Sequence, residues 1–221
     1  MEIRPGILVH TLKELKEALS RLSWAKKVHL DIMDGKFVRN KTIQAQTLKK
    51  ALPNPRERSS LGPENADIFL GMEFGVHLMA YKPHKYIKTY ARLGAKELII
   101  HQEATKKLVE TLEEIRLNGM KAGIAFNPET KVDKHALIHA DTALIMTVHP
   151  GYSGQTMMKA PLRKIAEIRK CNPIISIGVD GGINLKTCRL AAKADWAVAS
   201  SAVTDAPDPK KAYKELIKRC K

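Results

Sequence analysis

The densest chemistry in the chain lies in Val28-His29-Leu30-Asp31-Ile32-Met33-Asp34-Gly35. Alternation along a strand sets His29, Asp31 and Met33 on one face, and an imidazole beside a carboxylate on a shared face can bind a metal ion. The pattern returns downstream, where Val76-His77-Leu78-Met79 closes one strand-like run and Ser176-Ile177-Gly178-Val179-Asp180-Gly181-Gly182 closes another. Two histidines and two aspartates therefore fall at three strand ends. Burying such groups without partners is costly, so four of them converging on one place need mutual compensation, which a shared ligand supplies. Asp34 differs: it lies on the opposite face from Asp31 and precedes Gly35, which reads as a turn cap.

The elements that must carry these residues alternate between short apolar runs and amphipathic stretches. Strand-like runs cover residues 3–9, 27–32, 74–79, 97–101, 122–126, 143–148, 174–179 and 195–199. Helical periodicity covers Thr11 to Leu22, Thr42 to Leu52, Pro83 to Leu93, Lys106 to Leu117, Ala160 to Lys170 and Leu185 to Ala192. Eight repeated βα units predict an α/β chain folded as a (β/α)8 TIM barrel, in which chemistry gathers at the strand ends. An open doubly wound sheet is the structural rival. It would want a glycine fingerprint after the first strand, and Pro5-Gly6-Ile7-Leu8 supplies neither GxGxxG nor a phosphate loop of the Walker type. A polar, proline-rich stretch from Pro53 to Asn65 reads as a surface excursion.

The 221 residues, 44% of them apolar, suit one domain, residues 1–221, with one substantial core. Cys171, Cys188 and Cys220 are odd in number and show no metal-binding spacing, which predicts free thiols in a reducing, cytoplasmic setting. The N-terminal region lacks the apolar stretch of a signal peptide, and no run approaches the roughly 20 apolar residues of a membrane span. A formal charge of +15 favours phosphorylated substrates or polyanions. The basic pairs Lys49-Lys50, Lys106-Lys107, Lys210-Lys211 and Lys218-Arg219 are scattered through helical segments, and aromatics are only 5%, so the charge reads as solvated helix faces rather than a nucleic-acid surface.

Four motifs, in order and each at a predicted strand end, carry a resemblance: His29-Leu30-Asp31-Ile32-Met33-Asp34-Gly35, His77-Leu78-Met79, Met146-Thr147-Val148-His149-Pro150-Gly151-Tyr152-Ser153-Gly154-Gln155, and Val179-Asp180-Gly181-Gly182. Together they resemble the ribulose-phosphate 3-epimerase family, and the match runs nearly end to end. The resemblance implies inversion of C3 of ribulose 5-phosphate, giving xylulose 5-phosphate through an enediolate, with Asp31 and Asp180 as the acid/base pair. It implies one divalent cation held by His29, Asp31, His77 and Asp180 as Lewis acid; this donor set suits zinc, iron, manganese or cobalt better than calcium. It also implies a methionine wall from Met33, Met79 and Met146, and phosphate contacts from Gly151, Gly154, Gly181, Gly182, Ser200 and Ser201. His101, Glu103, Asn127 and Pro128 match more weakly and read as supporting or turn residues. A homo-oligomer and a cytoplasmic setting follow from the same likeness, with no membrane partner.

Three places depart from the family pattern. Gly6 stands where the family commonly has serine, Ser200-Ser201 replaces the usual Gly-Ser after the eighth strand, and the segment from Lys41 to Gln46 is remodelled. None touches the four implied ligands; Gly6 and Ser200 bear on substrate identity, which leaves a ketohexose 6-phosphate epimerase of the allulose type as an alternative. A catalytically silent phosphosugar-binding barrel is a second alternative, against which both aspartates stand.

Overall fold

Each strand of the sheet is buried on both faces, and this feature organises the computed structural model, which describes residues 1–51 and 72–220. The strands are β1 (Glu2–Ile7), β2 (Lys27–Met33), β3 (Glu73–Met79), β4 (Glu97–His101), β5 (Lys121–Phe126), β6 (Thr142–Met146), β7 (Ser176–Asp180) and β8 (Trp196–Ala199). All neighbours pair in parallel, and β8 pairs back onto β1, closing the barrel. The (β/α)8 expectation holds, and the open-sheet rival fails at that β1–β8 seam.

Period-two alternation divides the core in two. Val28, Leu30 and Ile32 of β2 and Phe74, Val76 and Leu78 of β3 belong to the larger cluster, which also takes in helix residues such as Leu15, Leu19 and Leu112. A separate cluster of Ile99, Ala125, Leu144, Met146, Trp196 and Val198 fills the barrel interior. The outward residues therefore anchor the helices, and the inward ones are free to build a site.

The helices are α1 (Leu12–Arg21), α2 (Ala45–Ala51), α3 (Ile87–Arg92), α4 (Leu108–Leu117), α5 (Lys164–Cys171) and α6 (Pro209–Cys220). Helix α1 starts at a capping box: the Thr11 hydroxyl accepts from the Glu14 amide while Glu14 accepts from the Thr11 amide. Short 3₁₀ turns precede α3 and α5, at Pro83–Tyr86 and Ala160–Arg163. The helix expected from Leu185 to Ala192 is not formed; only a 3₁₀ turn at Cys188–Ala191 is. Side chains compete with the helix there. Asn184 accepts from the Lys186 amide, the Thr187 hydroxyl accepts from the Asn184 amide, and that hydroxyl donates to the Gly182 carbonyl. The Pro53 to Asn65 excursion lies outside the described residues.

An ionic floor closes the N-terminal end of the barrel. Arg4 Nη1 donates to Glu97 Oε2 at 2.8 Å, the Thr142 hydroxyl donates to the other Glu97 oxygen at 2.5 Å, and the Arg4 guanidinium lies 3.8 Å over the Trp196 ring. The Trp196 indole donates to Ser176 at 3.1 Å. The Arg4 Nε makes no hydrogen bond and has only the Glu2 carboxylate 3.6 Å away, and the Trp196 ring lies between this floor and His29, centroids 6.0 Å apart.

Candidate active site at the C-terminal mouth of the barrel

Strands β2, β3 and β7 deliver the four residues singled out from sequence to one place. His29 and Asp31 point inward from β2, where Asp31 pairs in register with His77 of β3; Asp180 ends β7. One ligand atom from each of His29, Asp31, His77 and Asp180 lies within 4.8 Å of the other three. His77 Nδ1 stands 3.0 Å from Asp31 Oδ1 and 3.6 Å from Asp180 Oδ2, and His29 Nε2 is 3.5 Å from Asp31 Oδ1.

The electrostatics follow from crowding two carboxylates around buried imidazoles. Burial alone would push His77 down, but Asp180 and Asp31 outweigh it and lift its pKa to about 9. Burial likewise opposes charge on Asp31, yet His29 and His77 hold it well below the usual carboxylate range. His29 is 1% exposed and neither of its ring nitrogens has a hydrogen-bond partner. An orphaned buried imidazole aimed at two carboxylates and a second imidazole fits a divalent cation: the donors are of the right type, and the ion would occupy the lone pair that protein atoms leave unsatisfied. The cluster could hold a metal ion.

The sulfur-bearing side chains of Met33, Met79 and Met146 line the pocket above the cluster together with Asp31 and Asp180. Gly151, Gly154, Gly181, Gly182, Ser200 and Ser201 line its rim. Gly181 and Gly182 take φ of +117° and +65°, and a Cβ on Gly182 would stand 2.6 Å from the Met157 amide, so this turn belongs to glycine on both counts. Thr147 pins the same turn by donating to the Asp180 and Gly181 carbonyls at 2.9 and 2.6 Å. Gly6 does not line the pocket: a Cβ there would overlap the Ser200 hydroxyl, which occupies its place. Asp34 caps a turn as expected, accepting from the amides of Lys36, Phe37 and Tyr81.

Residues ranked low from sequence turn out to lie against the cluster. His101 is fully buried, with Nε2 2.9 Å from His77 Nε2 and Nδ1 3.4 Å from Glu103 Oε2. Burial pushes His101 down to about 4 against the opposing pull of Glu103. Leu8, Val148, Ile183 and Val198 also line the pocket and went unread, because an apolar residue at a strand end looks the same whether it faces core or ligand. Lys164 was likewise missed; its ammonium donates to the carbonyls of Asn127 and Pro128 at 2.6 and 2.8 Å, holding the loop after β5.

Residues 2–204 match the model of the ribulose-phosphate 3 epimerase family. The chain belongs to that family. A ribulose-phosphate 3-epimerase of Candida glabrata is 35% identical over 216 residues, covering 94% of this chain and 87% of that protein. One of Bacillus subtilis is 36% identical over 198 residues, covering 86% and 84%. As a member of an epimerase family the protein is an isomerase. Among solved structures, a 3-hexulose-6-phosphate synthase superposes with a TM-score of 0.68 at 13% identity, covering 99% of each chain. The KGPDC of Streptococcus mutans in complex with D-R5P gives 0.67 at 14%, covering 99% of this chain and 96% of that one. At such identities these two speak to the barrel fold alone. Among the described residues no helix is long and apolar enough to cross a membrane.

Proposed function

We propose that this family member interconverts D-ribulose 5-phosphate and D-xylulose 5-phosphate by proton transfer at C3. The observation that carries the reading is the approach of Asp31 from β2 and Asp180 from β7 to His77 Nδ1 from two separate strands, at the base of a methionine-walled pocket. One carboxylate removes the C3 proton and the other delivers a proton to the opposite face; the direction of reaction decides which is base. His29, Asp31, His77 and Asp180 would hold a divalent cation of the zinc, iron, manganese or cobalt type, which would supply Lewis-acid stabilisation of developing negative charge. Met33, Met79 and Met146 keep water from the enediolate. Backbone bared at Gly181 and Gly182, with Ser200, Ser201 and the loop carrying Gly151 and Gly154, holds the phosphate; the net positive charge favours the anion's approach. The three cysteines are free, which suits a reducing cytoplasm.

The experiment is exchange in deuterium oxide: cation-loaded protein is incubated with D-ribulose 5-phosphate and C3 is followed by NMR. Xylulose 5-phosphate carrying deuterium at C3, and none with Asp180→Asn, is expected. No exchange by loaded wild-type protein overturns the pentulose assignment; exchange with allulose 6-phosphate in its place would transfer the chemistry to a ketohexose.

A further inference from the structure

We infer that Glu103 and His101 form a positioning dyad that sets the tautomer of His77, so that His77 offers a lone pair, rather than a proton, to the cation site. The inference rests on the reading that His29, Asp31, His77 and Asp180 hold a cation.

The geometry allows few proton arrangements. His77 and His101 approach through their Nε2 atoms at 2.9 Å with rings stacked at 5.0 Å, so only one proton fits between the two nitrogens. On its other side His77 Nδ1 faces Asp31 and Asp180. For Nδ1 to bind a cation it must be bare, so the proton of a neutral His77 sits on Nε2 and is donated to His101 Nε2. His101 must then be an acceptor at Nε2 and carry its own proton on Nδ1. Among the described residues the acceptor facing that atom within ion-pair distance is Glu103 Oε2, at 3.4 Å.

Glu103 is itself held in place. Its Oε1 accepts from the Thr130 hydroxyl and from the Asn127 amide, the latter at 3.1 Å. A fixed anion beside His101 Nδ1 favours a proton there; the reverse tautomer would point a lone pair at the carboxylate. That reverse tautomer would also donate from His101 Nε2 to His77, forcing the His77 proton onto Nδ1, where it would block the cation. The Phe37 ring packs on His101 with centroids 4.8 Å apart, and His101 itself is fully buried. The cause therefore runs from Glu103 through His101 to His77; neither Glu103 nor His101 belongs to the four-residue cluster or lines the pocket above it.

The test is Co²⁺ titration of metal-free protein against a competing chelator, together with ¹⁵N shifts of the imidazoles in protein loaded with diamagnetic Zn²⁺. Glu103→Gln places an amide in the same volume; it is expected to raise the Co²⁺ dissociation constant by about 10–100-fold, with the unfolding temperature of the metal-free protein little changed. Glu103→Asp is expected to recover part of the affinity. In Zn²⁺-loaded wild-type protein, ¹⁵N shifts should show protons at His77 Nε2 and His101 Nδ1. Equal Co²⁺ affinity in wild type and Glu103→Gln, or a proton at His101 Nε2 in the loaded protein, overturns the dyad while leaving the cation site standing. Failure of wild-type protein to take up Co²⁺ overturns the cation reading and the dyad with it.

Discussion

Ser200 occupies, from the end of β8, the volume that a side chain on Gly6 of β1 would need. A Cβ on Gly6 would overlap the Ser200 hydroxyl and stand 2.7 Å from Val198 Cγ1, on strands that pair at Pro5 and Ala199. The hydroxyl that β8 brings to this seam therefore excludes a side chain from β1: the two positions share one volume. The Ser200 Oγ makes no hydrogen bond among the described residues and faces the pocket, free to meet a substrate oxygen.

Gly6→Ser alone should therefore overpack the seam and cost about 1–3 kcal/mol, with a loss of kcat/KM as Ser200 is pushed into the pocket. Gly6→Ser combined with Ser200→Gly should regain most of both. Denaturant unfolding and kinetics of the two single variants and the double variant give the coupling energy; additive effects would show that the two positions do not share the space.

His29 leads to an opposite pair of outcomes. Because both its ring nitrogens are buried without hydrogen bonds while Nε2 stands 3.5 Å from the Asp31 carboxylate, His29→Phe should change the stability of the metal-free protein by no more than about 1 kcal/mol, the removal of a desolvated polar group offsetting the lost support of Asp31. The same change should weaken Co²⁺ binding by orders of magnitude. Thermal unfolding with and without the cation separates the two effects; a large loss of metal-free stability would mean the imidazole is satisfied in a way the structure does not show.

Acid should loosen the barrel at two equivalent joints. Asp141, just before β6, accepts from the Ala122 amide and from Arg116; Asp195, just before β8, accepts from the Ile177 amide and from Arg169. Against the opposing effect of partial burial, these partners lower both carboxyl pKa values. A folded-state pKa below the unfolded value stabilises above the unfolded pKa, and the gain disappears as pH falls through about 4 and below. Both pairs are part-exposed, so each is worth on the order of 1 kcal/mol or less. Asp141→Asn and Asp195→Asn should each flatten the fall in unfolding temperature between pH 5 and pH 3 (roughly that window); unchanged slopes would remove these groups as the cause.

The barrel and its four central residues were legible in the chain itself, for a reason of period. A strand buried on both faces repeats every two residues, so His29, Asp31 and Met33 had to share a face, and their polarity amid Val28, Leu30 and Ile32 marked that face as the one turned to a site. Helix formation was harder to read after β7, since Leu185 to Ala192 has helical spacing but its Asn and Thr side chains capture the backbone instead. His101 and Glu103 carry no local mark either. Their meaning depends on a 2.9 Å approach to His77 across strand pairing, and a side chain's partner on a neighbouring strand is set by register and barrel closure. The volume shared by Gly6 and Ser200 is of the same kind. Alternation within one strand determined which residues could act, whereas closure of β8 onto β1, by bringing together atoms almost two hundred residues apart in sequence, decided which of them meet.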